Sequence, residues 1–320
     1  MLAIRAGFWQ NGGIMTITQF LLSQNASMPP IVWLIAAIFS AVFGAMVGSF
    51  LNVCIYRIPL DQSVVRPRSR CMSCGKLIPW RHNLPIISYF ALRGKCANCK
   101  AEFSFRYAAV EMLAAFLFAL AWCAFAPGGA KPPLGISPLG SPAEVLVGWI
   151  FLSGLIVATF VDFDHFIIPD SVSIGGMAAG LAASALLPSL HGEELWQRGL
   201  MFSAAGLAAG FIPLQTVRVV GTWAYRRSGR IAGDEEAMGF GDIKLIGAIG
   251  AFLGVAGAVF SIMAAALFGT LVAIPLMIGG RKALLDRLPF GPYLSLGAVV
   301  WFFWGAKIAA FYFERILPPL

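Results

Sequence analysis

Leu146-Val-Gly-Trp-Ile-Phe-Leu-Ser-Gly-Leu-Ile-Val-Ala-Thr-Phe-Val161 is a run of sixteen residues without a charge, and it stops at Asp162-Phe-Asp-His-Phe-Ile-Ile-Pro-Asp170. An apolar run close to the ~20 residues that cross a bilayer implies a membrane helix. An ionisable residue at the edge of such a span is costly and marks a functional site by default. Asp162 has a counterpart in Asp242, which opens another apolar run within Gly239-Phe-Gly-Asp-Ile-Lys244. Two carboxylates that can meet suggest aspartyl acid–base chemistry.

The remainder of the 320 residues supports the membrane reading. Hydrophobic residues make up 59% and charged residues 12%, with a mean hydropathy of +0.80, whereas a soluble domain carries about 25% charged residues. This composition excludes a soluble globular enzyme and predicts an all-α polytopic membrane protein of about eight transmembrane helices. The expected spans are 31–56, 107–126, 144–162, 171–189, 199–219, 243–257, 259–279 and 292–312. Ile243–Gly280, at 38 residues, is too long for one helix and divides at the glycines near Gly254 and Gly257. Residues 1–30 hold one basic side chain, Arg5, so the first apolar stretch is kept as a span and not taken as a cleaved signal.

Of the 23 lysines and arginines, ten lie in 57–106, five in 217–244 and three in 281–287, which are alternate connections. The positive-inside rule makes these loops cytoplasmic and the termini external, and it puts Asp162 and Asp242 at the cytoplasmic edge. The net charge of +8 is therefore a topology signal, with the lipid bilayer as its partner and no nucleic acid.

The connection 57–106 carries four of the six cysteines, as Cys71-Met-Ser-Cys74 and Cys96-Ala-Asn-Cys99. Each C-x2-C turn can present two thiolates to one tetrahedral ion, so the pattern predicts a small cytoplasmic zinc-ribbon-like loop with structural Zn2+. A reducing cytosol argues against disulfides here. Cys54 and Cys123 fall inside apolar spans and are expected to be packing residues.

A helix through 150–166 would point Asp162 and Asp164 to nearly opposite sides, about 160° apart, so only one can face a neighbouring helix. Asp170 follows Pro169 and can be read as the N-cap of the next span. Gly239 and Gly241 permit close backbone approach beside Asp242, as a site admitting an extended peptide requires; a flexible loop with a helix cap is the plainer alternative. His165 could tune the pair or be a solvated boundary residue.

Several ordered motifs resemble the bacterial type IV prepilin peptidases. They are Gly48-Ser-Phe-Leu-Asn-Val-Cys-Ile-Tyr-Arg-Ile-Pro59, the paired C-x2-C with Leu92-Arg-Gly-Lys-Cys96, Phe105-Arg-Tyr107 with Glu111, the run 162–170, Glu236-Ala-Met-Gly-Phe-Gly-Asp-Ile-Lys244 and Pro289-Phe-Gly-Pro292. Met72 departs from the family's usual proline, and the connection at Val217–Glu235 is longer than is typical.

The resemblance implies an aspartic endopeptidase of the bacterial inner membrane. It would remove the leaders of prepilins and pseudopilins at the cytoplasmic face and then methylate the new N-terminus from S-adenosyl-L-methionine. It also implies Asp162 and Asp242 as the catalytic pair, supported by Gly239, Gly241, Asp164, Asp170, Lys244 and Glu236. A methyltransferase part would occupy 31–126, with Asn52, Arg57, Arg106, Tyr107 and Glu111 as candidates, and a six-span peptidase part 144–312. The basic leader would favour an acidic patch, for which Asp164, Asp234, Glu235 and Glu236 are candidates.

Other readings of the aspartates are a presenilin-type intramembrane protease, a proton- or cation-coupled transporter, and a membrane anchor whose four-cysteine loop docks a cytosolic partner.

Overall fold

The structure is a computed structural model that describes residues 8–10, 13–15, 29–125, 141–228, 238–278, 288–312 and 314. A small antiparallel hairpin, β1 (Phe8–Gln10) with β2 (Gly13–Met15), precedes the helices. The helices are α1 (Pro30–Arg57), α2 (Ile87–Ala91), α3 (Arg106–Phe125), α4 (Pro142–His165), α5 (Asp170–Leu186), α6 (Trp196–Arg227), α7 (Phe240–Ile278) and α8 (Gly291–Phe311). As expected, the protein is a multi-pass α-helical membrane protein.

Among the described residues, six helices are long and apolar enough to cross a membrane, against the eight expected. Two features account for the difference. At 17 residues, α5 spans only about 25 Å at 1.5 Å per residue. The 39-residue α7 counts once, although its backbone breaks at Gly254 (φ 71°, ψ −174°), a conformation that glycine tolerates and β-carbons resist.

The chain turns back at that break. Going forward along arm 240–253, Gly176 lies against Ala248 and Gly180 against Ala251, so this arm runs parallel to α5. Along arm 255–278, Gly257 meets Trp301 and Gly269 meets Tyr293, so this arm runs antiparallel to α8. The turn falls at Gly254, a few residues before the expected boundary. It also interrupts the helical ladder, which leaves nearby carbonyls in need of donors. The Ala251 carbonyl accepts from Ser203 Oγ at 2.7 Å and Ser184 Oγ at 3.5 Å, both buried. Ser184 Oγ also lies 2.9 Å from His191 Nε2, and burial holds that imidazole below its usual pKa.

In a bilayer, helices gain little by hiding apolar surface from lipid tails, so small residues and close contact decide which helices associate. In α1 a β-carbon at Gly44 would lie 2.7 Å from the Ala114 carbonyl oxygen, and one at Gly48 would lie 2.8 Å from the Glu111 Cα. These glycines let α1 and α3 approach as a pair. The face that α1 turns away from the bundle carries exposed Ile31, Ile35, Ile38, Val42 and Met46, at helical spacing suited to lipid.

Between the α1–α3 pair and the α5–α8 group stands α4. Its Leu152, Ile156 and Val161 pack with Leu51, Val110 and Phe303. Its Phe151, Leu155 and Ala158 pack with Ile246, Ile249 and Leu294. A capping box starts α4, with the Glu144 N–H donating to Ser141 Oγ at 3.3 Å and Ser141 N–H donating to Glu144 Oε2 at 3.4 Å. The helix ends where Phe166 turns left-handed (φ 55°) and its N–H bonds the Asp162 carbonyl. Pro169 then caps α5. The expectation that Asp170 is the N-cap is corrected: Asp170 is the first helical residue and makes no capping bond. Helix α6 also runs to Arg227, beyond the expected end near 219.

Candidate functional site

Three helix ends meet at one end of the bundle: the C-terminus of α4, carrying Asp162, and the N-termini of α7 and α8. Asp162 is buried at 5% exposure, and its Oδ2 accepts the N–H of Gly291 at 3.0 Å. Gly291 is the first residue of α8, so its N–H is among those that a helix leaves without an internal partner. A carboxylate at the C-terminal end of its own helix faces an unfavourable dipole; here it gains the positive end of another. Asp242 is in the first turn of α7, also at a positive helix end.

Ile168 links the two acids. A β-carbon at Gly241 would lie 3.1 Å from Ile168 Cβ, and one at Gly291 would lie 3.1 Å from Ile168 Cδ1 and 2.7 Å from Asp162 Oδ2. A β-carbon at Gly239 would come within 3.2 Å of Asp242 Oδ2. The glycines thus supply the room in which the carboxylates stand.

The other predicted residues divide. Asp164 points away from Asp162, as the helical spacing requires, and pairs with Arg106. The same guanidinium donates to the Phe160 carbonyl at 2.9 Å and lies over the Phe160 ring, 5.0 Å from its centre. Asp170 pairs with Lys244, whose ammonium also lies 4.8 Å from the Phe240 ring centre; Arg218 lies 4.7 Å from that centre. Phe240, between the two glycines, is therefore fixed by cations. His165 is exposed. Glu236, with Asp234 and Glu235, lies outside the described residues. The acidic patch expected for a basic leader is thus altered at Asp164, whose charge already has a partner.

Asn52, Arg57, Arg106, Tyr107 and Glu111 also gather at this end. The Asn52 amide donates to the Tyr107 carbonyl at 3.0 Å, and Arg57 donates to the carbonyls of Ser63 and Pro67 at 2.9 and 2.8 Å. Glu111 Oε2 accepts the Ile86 N–H at 2.7 Å. Ile86 has a positive φ (62°, with ψ −55°), a strained state for a β-branched residue that costs of order 1–3 kcal/mol. These polar groups are engaged within the protein, so a bound cofactor would compete with existing bonds.

Cys71, Cys74, Cys96 and Cys99 bring their four sulfurs within 4.8 Å of one another, and this cluster could hold a metal ion. The two C-x2-C turns are built alike. Cys71 N–H bonds the Lys76 carbonyl and Cys96 N–H the Ala101 carbonyl, with left-handed Gly75 (φ 68°) and Lys100 (φ 63°) closing each turn. Cys71 and Cys99 sulfurs are 3.7 Å apart, close to the ~3.8 Å edge of a tetrahedron with metal–sulfur bonds of about 2.3 Å. Backbone N–H groups of Cys74 and Ser73 lower the Cys71 thiol to about 6, and those of Cys99 and Asn98 lower the Cys96 thiol, which favours the thiolates that bind metal.

Sequence reasoning gave no role to Gly291, Ile168 or Ile86, although Ile168 and Gly291 stand inside the motifs that carry the resemblance; Ile86 had no signal.

Residues 42–125 match the family model of the Bacterial Peptidase A24 N-terminal domain, and residues 149–274 match that of the Type IV leader peptidase family. The chain is 34% identical over 259 residues to a prepilin leader peptidase/N-methyltransferase of Myxococcus xanthus (strain DK1622), covering 81% of this chain and 68% of the relative. It is 31% identical over 276 residues to one from Bacillus subtilis (strain 168), covering 86% and 97%. It is 30% identical over 300 residues to one from Aeromonas hydrophila, covering 86% and 93%. No solved structure matches the chain.

Proposed function

The chain belongs to the type IV leader peptidase family, and we propose that it removes the leaders of prepilins and pseudopilins with Asp162 and Asp242 as its catalytic pair. Cleavage takes place at the cytoplasmic face of the inner membrane, and N-methylation of the new terminus follows. The observation that carries this reading is the meeting of a buried Asp162, bonded by Gly291 N–H, with Asp242 around Ile168.

Two carboxylates in one site share a proton more readily than they both ionise. The Gly291 N–H stabilises charge on Asp162 Oδ2, so Asp162 is the carboxylate that takes a proton from the attacking water. Asp242 is the acid that donates to the scissile carbonyl oxygen or the leaving amine. Gly239 lets the Asp242 carboxylate, and Gly241 lets Ile168, come close to the backbone at the site. A prepilin's apolar helix lies in the bilayer while its leader emerges at the helix ends where the acids stand. Asp164, Asp170 and Lys244 act as positioning residues through their ion pairs.

The cysteine set suits zinc as a closed site with four protein ligands and no open position for catalysis. Its contribution is folding free energy for a loop that has little core of its own. The family relationship implies S-adenosyl-L-methionine as methyl donor, with the 31–126 region as the methyltransferase part. Among its candidates, Arg106 and Glu111 hold the protein's own helix and loop in place, and no chemical step is assigned to them. The family relationship also sets aside the presenilin-type, transporter and anchor readings.

Mass spectrometry of a prepilin incubated with the purified enzyme and S-adenosyl-L-methionine tests the proposal. Leader loss plus one methyl mass is expected, and Asp162→Asn and Asp242→Asn should both leave the leader attached. Cleavage retained by either variant would remove that residue from the catalytic pair.

A further inference from the structure

The four-cysteine loop displays large apolar side chains that no other part of the described protein covers: Trp80 is 70% exposed, Ile87 65%, Phe90 57% and Leu84 42%. In water these would form an apolar surface of the kind that marks an interaction site. Three observations indicate what covers it.

The first is depth. Ile86 N–H reaches the Glu111 carboxylate directly, and Glu111 lies five residues into α3 from Arg106, about 7.5 Å along the helix axis. Gly48, more than two turns before the end of α1, packs against the same residue, where a β-carbon would lie 2.8 Å from the Glu111 Cα. Residues 84–88 are thus drawn back along α1 and α3 to a level inside the spans. Ser88 Oγ fixes the turn by accepting the Leu84 N–H at 2.9 Å.

The second is continuity with the lipid-facing surface. The Tyr89 ring meets Phe90 and Phe105 edge-on, at 5.7 and 5.8 Å between centres. Phe105 immediately precedes α3, whose exposed Leu113 and Phe116, one turn apart on one side of the helix, continue the apolar surface into the membrane.

The third is charge. Arg81 and Arg93 flank the apolar residues and are exposed, which complements anionic headgroups. Apolar side chains with a basic rim at this depth are the composition of an interfacial membrane element.

We propose that Leu84–Ala91 is such an element. Leu84, Ile87 and Phe90 enter the boundary between headgroups and acyl chains beside α3, Trp80 lies at headgroup level, and Arg81 and Arg93 contact anionic lipid. The loop is then docked on the bilayer as well as held by Glu111.

Nitroxide labels at Ile87→Cys and Phe90→Cys test this in metal-loaded protein lacking Cys54 and Cys123, reconstituted in vesicles of mixed zwitterionic and anionic lipid. Both labels should be relaxed more by oxygen than by a water-soluble nickel chelate, whereas a label at Val65→Cys, 77% exposed, should show the reverse. Labels that behave like Val65→Cys, or that are shielded from both reagents as beneath another protein, overturn the proposal. Wild-type enzyme in vesicles of diazirine-bearing lipid gives an independent readout: photoadducts are expected on the peptide spanning 84–91, and their absence overturns it. Omitting anionic lipid should lower that yield about fivefold relative to span peptides; an unchanged yield removes the headgroup contact from the proposal.

Discussion

Arg106 reaches from the first turn of α3 to Asp164 in the last turn of α4, and its second nitrogen bonds the Phe160 carbonyl one turn earlier. The pair ties the segment matched by one family model to the segment matched by the other, two residues from Asp162. Arg106→Ala should therefore act on cleavage although Arg106 is far in sequence from either acid. Both side chains are about one third exposed, so solvent screening limits the effect to roughly 1 kcal/mol, or about fivefold in rate. Arg106→Lys should rescue only partly, because a point charge cannot serve a carboxylate, a carbonyl and a ring together. A double-mutant cycle with Asp164→Asn should show coupling; strictly additive losses would mean that the pair does not position α4.

Gly291→Ala places a β-carbon 2.7 Å from Asp162 Oδ2, whereas Gly239→Ala places one 3.2 Å from Asp242 Oδ2. The first contact forces the carboxylate to move and the second asks for a few tenths of an ångström. Loss of the Gly291 bond geometry should lower kcat/KM by about 10- to 100-fold, with the smaller loss at Gly239. Cleavage assays on both variants, at matched membrane insertion, check the order. The reverse order would count against Asp162 as the more tightly held acid.

Lys244 is 14% exposed at its side chain and its partner Asp170 is 63% exposed, so the two halves of this ion pair are not equivalent. Removing Asp170 as Asp170→Asn leaves a largely buried ammonium with the Phe240 ring as its remaining partner among the described residues, at a cost of about 1–2 kcal/mol. Removing Lys244 as Lys244→Met leaves a carboxylate in solvent, at a cost within about 1 kcal/mol. Thermal unfolding in detergent should show the larger fall for Asp170→Asn. Equal falls would indicate that Phe240 and solvent already satisfy Lys244.

The helical character, the convergence of the four cysteines and the opposed directions of Asp162 and Asp164 were legible because each depends on local spacing. Periodicity of 100° per residue separates Asp162 from Asp164, and two C-x2-C turns converge wherever the loop lets them. What was not legible depends on contacts between distant segments. Nothing in the sequence around Asp162 names Gly291 as its donor, and Asp170, displaced from the cap position by Pro169, pairs instead with Lys244 on α7. The same holds for Ile86, whose strained backbone follows from a bond to Glu111 on another helix. The division of 243–280 was foreseeable from its length, whereas the serines that receive the Ala251 carbonyl freed by the break, Ser184 and Ser203, come from across the bundle.

Metal removal separates the loop from the chemistry. With the proposed metal bound, a closed site of four thiolates would supply much of the folding free energy of residues 58–105, so chelation should raise amide exchange there while the spans stay protected. Acidification should act in the same direction. The Cys71 thiol is held down to about 6 by the N–H groups of Cys74 and Ser73, below its unfolded value, so the stability from its thiolate is present above that unfolded value. It is lost as pH falls through 6, where protons also compete with the metal. Cys71→Ser should reproduce the effect of chelation at neutral pH. Cleavage should decline only as far as the loop unfolds, because Asp162 and Asp242 need no ion to move a proton. Cleavage abolished by a chelator while exchange in 58–105 is unchanged would require a metal at the aspartates and overturn the acid–base assignment.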